Sequence, residues 1–272
     1  MMLRDSHVLV TGGSSGIGLA IARRCAAAGA RVSLVARDAS KLSTARALVI
    51  AATPSAKVEI AAADVSIEAQ VIAAVGAVQA SNGPVDILVT SAGVATPGRF
   101  EAMPSSVFER SMAVNYFGTL YALRAVIAGM RERRRGAIVL VSSGAGLVGL
   151  FGYSAYAPTK FALRGLAETL RGELRQTGVQ VSIIYPPDTD TPQLAEENLT
   201  KPAETKAITA GAGLWTADEV ARVTIEGMTL GRFAITPGAQ LTALFWLQGL
   251  IFPYLQWRFD RIAAGVRRAG GK

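Results

Sequence analysis

The chain has 272 residues, half of them hydrophobic, and a net charge of +8. That length allows one α/β domain or two small ones, with ample apolar surface for a core. The single cysteine, Cys25, and single histidine, His7, exclude an internal disulfide and a metal-ligand cluster, and the lone thiol fits a reducing compartment.

Met1 to His7 is polar and lacks the pattern of a signal peptide. His7 opens an apolar strand and reads as structural. Val8-Leu9-Val10 is that strand. Thr11-Gly12-Gly13-Ser14-Ser15-Gly16-Ile17-Gly18 follows, and a helix over Leu19 to Ala28 is closed by Gly29. Strand, glycine loop and helix in that order make a dinucleotide-binding turn. The glycines let the backbone approach a pyrophosphate, whose charge the helix N-terminus stabilises. Gly12, Ser14, Ser15, Gly16, Ile17 and Gly18 are the candidate contacts.

The next strand, Val32 to Ala36, ends at Arg37. An NAD site places an acid near there to hold the ribose hydroxyls. An arginine suits a 2′-phosphate instead, with Ser14 and Lys41 in support. Asp38 argues the other way. The expectation is NADPH, with NADH possible.

Val58 to Ala62 is a third strand, followed by Asp64-Val65. Asp64 either caps the next helix or hydrogen-bonds an adenine, and Ser66 offers an alternative cap. A helix over about Ile67 to Ala80 is broken by Asn82-Gly83-Pro84. Asp86 to Thr90 is a fourth strand, and after it Ala92 and Gly93 are small enough to let a ligand approach the backbone.

A long helical region runs from about Ser106 to Arg133. Asn115 inside it competes with the backbone for hydrogen bonds, which points to a kink or a bound water. Ala137 to Val141 is a fifth strand delivering Ser142 and Ser143. A helix over Ser154 to Gln176 carries Tyr156 and Lys160, four apart and so on one face. A buried ammonium beside a phenol lowers the phenol's pKa, making Tyr156 a proton donor near neutral pH.

Val179 to Ile184 is a sixth strand, and Tyr185-Pro186-Pro187-Asp188-Thr189-Asp190-Thr191-Pro192 leaves it. The polar stretch over about 188–215 reads as a mobile lid. Ala217 to Leu230 is a helix capped by Thr216, with Glu219 at capping-box spacing. Phe233 to Thr236 is a seventh strand. This alternation predicts one domain over 1–237, α/β and Rossmann-like, with a doubly wound seven-stranded parallel sheet.

The remaining 238–272 is an apolar, then basic, C-terminal extension. Ala239 to Trp257 holds no charge, yet Gln240, Gln248, Gln256 and Pro253 interrupt it. Trp246, Tyr254 and Trp257, followed by Arg258, Arg261, Arg267, Arg268 and Lys272, suit a helix lying on a membrane surface. A spanning helix and a helix packed in a dimer are the alternatives. Arg131, Arg133, Arg134 and Arg135 read as a solvated helix end or a membrane-facing patch. Neither basic cluster carries the aromatics or motif of a nucleic-acid binder.

Together Thr11-Gly12, Gly16, Gly18, Asn115, Ser143, Tyr156 and Lys160 resemble the short-chain dehydrogenase/reductase family, over about Ser6 to Thr191. Two positions depart from it: Thr90-Ser91-Ala92-Gly93, and Pro186-Pro187, where Pro187 lacks an N–H donor near the nicotinamide. The resemblance implies that Tyr156 protonates the developing alkoxide and Ser143 orients the carbonyl. Lys160 would lower the Tyr156 pKa and bond the ribose. Asn115 would hold a water. Tyr156, Lys160, Pro186, Thr189 and Thr191 would join the cofactor contacts, in a homodimer or homotetramer.

The turn from Pro186 to Pro192, with Ala195-Glu196-Glu197-Asn198 and Thr200-Lys201-Pro202, resembles a branch of this family that reduces a 3-keto sphingoid base. That implies a long-chain amino-ketone lipid, met on the cytoplasmic side of a membrane. Ser143, Tyr156 and Asp188 are the candidate substrate contacts. At least one of Asp188, Asp190, Glu196 and Glu197 would receive the ammonium, unless Asp188 and Asp190 only organise the turn. Other long-chain or steroid-like ketones or alcohols remain open as substrates. A non-catalytic NADP(H) sensor or a membrane adaptor would not need Asn115, Ser143, Tyr156 and Lys160 together.

Overall fold

A computed structural model describes residues 3–210 and 213–270. Seven parallel strands form one sheet: β1 (His7–Thr11), β2 (Arg31–Ala36), β3 (Val58–Ala62), β4 (Ile87–Thr90), β5 (Gly136–Val141), β6 (Val179–Ile184) and β9 (Ala234–Ile235), ordered β3-β2-β1-β4-β5-β6-β9. The order reverses beside β1, and there the crevice beyond the strand ends receives ligands in such sheets. Helices α1 (Gly16–Ala27), α2 (Ala39–Ala52), α3 (Glu68–Asn82), α4 (Ser105–Met112), α5 (Gly118–Glu132), α6 (Ala157–Glu173) and α9 (Ala217–Thr229) cover its faces. The central strands are buried on both sides and therefore read as apolar runs. Leu9, Leu88, Ile138 and Leu140 are fully buried in one layer, Val10, Leu34, Val89 and Val139 in the other. Each large aliphatic contributes about 1.5–3 kcal/mol.

Local chemistry sets the ends. Thr216 and Glu219 form the reciprocal capping box that starts α9. The mid-helix asparagine has its expected cost: Ala113–Phe117, between α4 and α5, is one turn of π-helix. Asn115 donates to the Val94 carbonyl and Thr159 and accepts from the Val94 N–H, at 2.8–3.0 Å.

The segment expected as a lid is not a loop. Strand β7 (Thr189–Asp190) pairs with β8 (Trp215–Thr216), and between them stand α7 (Pro192–Thr200) and α8 (Ala203–Thr209). The prolines that suggested irregular chain sit at helix starts, where no N–H is needed: Pro192 opens α7 behind its cap Thr191, and Pro202 is the N-cap of α8. Glu197, Lys201, Glu204 and Thr205 are buried. Residues 211 and 212 of the expected lid lie outside the described residues, as does Lys272.

The C-terminal extension is one helix, α10 (Gly238–Gly270), continuous through Pro253. Among the described residues no helix is long and apolar enough to cross a membrane. Its Leu241, Leu244 and Phe245 pack on the core. Gln248 donates to the Leu147 carbonyl and accepts from Arg164 at 2.7 Å. The opposite side leaves Trp246, Leu250, Tyr254 and Trp257 exposed.

Of the basic residues at the end of α5, Arg133 donates to the Val85 carbonyl, Arg134 to the Gln176 carbonyl, and Arg135 faces Asp86 at 3.6 Å. They brace the N-terminal edge of the sheet.

His7 is structural. Its ring meets the Gly83 carbonyl at 2.7 Å and the Ser33 hydroxyl at 2.8 Å, and burial holds its pKa below 6.5. The unfolded chain therefore takes up a proton that the folded chain refuses. Stability is complete above about pH 6.5 and falls as pH drops below it. Urea midpoints at pH 7.5 and 5.5 will show the fall, and His7→Gln will flatten the histidine part of it.

Candidate active site

The crevice is a cavity of about 940 Å³ lined from the β1 loop to α10. Gly12, with φ +70°, begins it: a Cβ there would lie 2.6 Å from the Ala92 backbone. One on Gly18 would lie 2.5 Å from the Gly12 carbonyl oxygen. Glycine at both positions lets the loop close tightly against β4 and α1. Ser14, Ser15, Gly16 and Ile17 line the cavity, as do Asp64, Val65, Ala92, Gly93, Pro186, Thr189 and Thr191. Gly18 does not. It is buried and shapes the loop rather than touching the space.

Arg37 and Lys41 line the far end. Asp38 is there too, but its carboxylate caps α2, accepting from Ser40 and Lys41 N–H groups at 2.9 and 3.0 Å. The acid that argued for NAD is committed to a helix end. Asp64 likewise accepts from the N–H and hydroxyl of Ser66, at 2.9 and 2.7 Å. Burial opposes its ionisation, yet those bonds hold its carboxyl below the usual range. These residues fit a dinucleotide: a backbone cradle, a small-residue floor and two cations beyond it.

At the middle of the cavity α6 brings Tyr156 and Lys160 together. The helix starts at Ala157, so Tyr156 is its N-cap residue rather than an interior one. Ser143 follows β5, and its hydroxyl accepts from the Ala145 N–H at 3.2 Å. The side chains of Ser143 and Gln193 stand near enough to the Tyr156 hydroxyl to favour its ionised form. Lys160 Nζ donates to the Val141 carbonyl at 3.1 Å and lies 5.4 Å from the centre of the Tyr156 ring.

The expected lowering of the Tyr156 pKa is not found. Burial and then the negative charge of Glu197 push the phenol up, while Ser143 and Gln193 pull it partly back. The Lys160 ammonium is held at a carbonyl and is itself desolvated, its pKa pushed down to about 8. A phenol of raised pKa keeps its proton at pH 7, as a proton donor must. The side-chain N–H groups of Asn115 are spent on Val94 and Thr159, so the side chain fixes the floor under Lys160.

The four lid carboxylates separate. Asp188 lines the cavity but faces buried Lys201 at 3.7 Å. Asp190 is exposed and outside the cavity lining, and Glu196 lines it from an exposed position. Glu197 is buried and accepts from the Tyr153 hydroxyl at 2.7 Å and Gln193 at 2.9 Å.

The sequence reading missed Tyr153, Gln193 and the whole wall made by α10. Leu241, Leu244, Ile251, Leu255 and Phe259 line the cavity. Their three-and-four spacing is a helical stripe, the signal that could have found them.

A model of the family described as short chain dehydrogenase matches residues 6–202. The chain belongs to the short-chain dehydrogenase family. It is similar to "3-dehydrosphinganine reductase" of Danio rerio, 46% identical over 241 residues, covering 88% of this chain and 73% of that one. It is 44% identical over 242 residues to "3-ketodihydrosphingosine reductase" of Bos taurus, with the same coverage. Among solved structures it resembles a short chain dehydrogenase/reductase from Burkholderia phymatum in complex with NAD. That likeness has a TM-score of 0.83 and 25% identity, over 93% of this chain and 96% of the other. As a short-chain dehydrogenase, the protein is an NAD(P)H-dependent oxidoreductase, and a nicotinamide cofactor belongs in the glycine-loop end of the cavity.

Two outcomes follow from the geometry. Tyr156→Phe will lower kcat by about 10²–10⁴, the range of general acid catalysis, with cofactor affinity nearly unchanged by fluorescence titration. The pH profile of kcat/KM for reduction will bend down above about pH 8 as Lys160 loses its charge.

Proposed function

We propose that this short-chain dehydrogenase reduces the C3 ketone of 3-ketodihydrosphingosine to the alcohol of dihydrosphingosine, with NADPH as donor. One observation carries the reading. A single cavity is cationic at Arg37 and Lys41, catalytic at Tyr156, and mostly apolar along α10, where Gln240 and Arg258 are the polar members of the lining. That layout suits a phosphorylated dinucleotide at one end and an alkyl chain at the other. The relatives' names add the substrate chemistry.

Bound at the glycine loop, the reduced nicotinamide supplies the hydride. The chain supplies the rest. The Ser143 hydroxyl donates to the ketone oxygen and orients it. The Tyr156 hydroxyl gives its proton to that oxygen as negative charge develops. The Lys160 ammonium favours the resulting phenolate and lies where it can bond the cofactor's ribose. Burial of Tyr156 and Lys160 excludes water, so these charges act in a low dielectric.

The purified full chain in detergent, given 3-ketodihydrosphingosine, should consume NADPH absorbance. Silence with both NADPH and NADH would sink the reading. Arg37 is the discriminator between cofactors: Arg37→Ala should raise KM for NADPH about 10- to 100-fold, the scale of a lost charged hydrogen bond, and change KM for NADH little.

We further propose that α10 docks on the cytoplasmic side of a membrane. Support comes from the exposed stripe of Trp246, Leu250, Tyr254 and Trp257, which continues with Arg261. Trp246→Ser with Leu250→Ser should abolish flotation with anionic vesicles. Removing the helix would be a poorer test, because it also removes a wall of the cavity.

A further inference from the structure

The structure assigns Glu197 a further role: we propose that its carboxylate receives the substrate's C2 ammonium, held in place by Tyr153 and Gln193. This rests on the amino-ketone reading above. In such a substrate the ammonium is on the carbon bonded to the carbonyl carbon. Any residue that recognises it must therefore stand beside Tyr156, on the side away from the glycine loop.

Glu197 meets that condition through a chain of contacts. Gln193 stands near enough to the Tyr156 hydroxyl to favour its ionised form, and it donates to Glu197 Oε1 at 2.9 Å. Tyr153 packs its ring 5.6 Å from that of Tyr156 and donates to Glu197 Oε2 at 2.7 Å. Both donors are neutral, and each occupies one direction on one oxygen. A carboxylate offers about four such directions, so acceptor capacity remains on both oxygens.

Charge points the same way. Glu197 is 7% exposed, lines the cavity, and has no ion-pair partner among the described residues. A buried carboxylate without a cation is costly, and a cationic ligand offsets the cost. The neighbouring cations are already engaged. Lys160 feels the Glu197 charge from beyond ion-pair distance but is held on the Val141 carbonyl, and Lys201 is shared between Asp188 and the Tyr153 ring, 5.8 Å from its centre. The same engagement disqualifies Asp188, whose charge Lys201 neutralises. Glu196 is exposed, where water screens an ion pair to little value.

The test compares two substrates on the full chain in detergent: 3-ketodihydrosphingosine, and the same hydroxyketone lacking the amino group. Wild-type protein should prefer the amino ketone in kcat/KM. In E197Q that preference should fall about 10- to 100-fold, through KM for the amino ketone, while any effect of the lost charge on Tyr156 and Lys160 falls on both substrates alike and leaves their ratio unmoved. An unchanged preference overturns the proposal. So does an equal fall for both substrates, which would make Glu197 a support for Tyr153 only. If E197Q does not fold, Glu197→Asp decides: it keeps the charge but withdraws it, so the preference should narrow several-fold, and no narrowing overturns the proposal. Wild-type protein that reduces the des-amino ketone and not the amino ketone would overturn the substrate reading itself, and this inference with it. A fall confined to E197Q leaves that reading standing.

Discussion

The site depends on keeping one ammonium, that of Lys160, where water cannot solvate it. A charge so placed must be held by fixed dipoles, and the fold provides them from three directions. The end of β5 offers the Val141 carbonyl. The first turn of α6 sets the lysine one turn from the phenol. Asn115, in its π-turn, clamps the Val94 backbone and Thr159, which borders Lys160 on α6. The unfavourable asparagine, the irregular helix turn and the close approach of Gly93 to Lys160 Nζ are parts of one solution. Loosening any of them would let the ammonium leave its carbonyl and take up water.

Burial has a second effect across the cavity. It raises the phenol and lowers the amine together, so Tyr156 stays protonated and Lys160 titrates near its working range. Ser143 and Gln193 moderate the first of these shifts. This proton donor is thus tuned first by its burial and then by the Glu197 charge, with Ser143 and Gln193 pulling the other way.

The parallel sheet was legible because βα alternation leaves strong marks: apolar runs such as Val8-Leu9-Val10 and glycines at the turns. The catalytic residues were legible for a similar reason, since Ser143, Tyr156 and Lys160 sit at strand ends and on one helical turn. Other features depend on distant partners that no local pattern carries. The polar stretch 188–215 forms helices because the buried Glu197, Lys201 and Glu204 find partners in Tyr153 and Arg99. Asp38 counted against a 2′-phosphate by its charge alone, and its Oδ1 turns out to cap α2. Reading α10 by composition showed its apolarity but not its two sides, because Trp246 and Leu244 count alike until packing distinguishes them.

The cavity's two ends differ in mechanical character. Around Tyr156 the lining is strand ends and a closed polar network, all tied to the sheet. Along α10 it is a single helix, pinned by Gln248 before Pro253 and by Arg267 on Glu204 and Phe151 after it, and deprived of one backbone N–H at the proline. Ile251, Leu255 and Phe259 lie around and beyond that missing rung. Beyond it Ala263 is buried and Arg267 reaches the Glu204 carboxylate, so both halves of the wall are docked. What give there is lies at that one turn, midway along the apolar lining and away from the end where the chemistry happens.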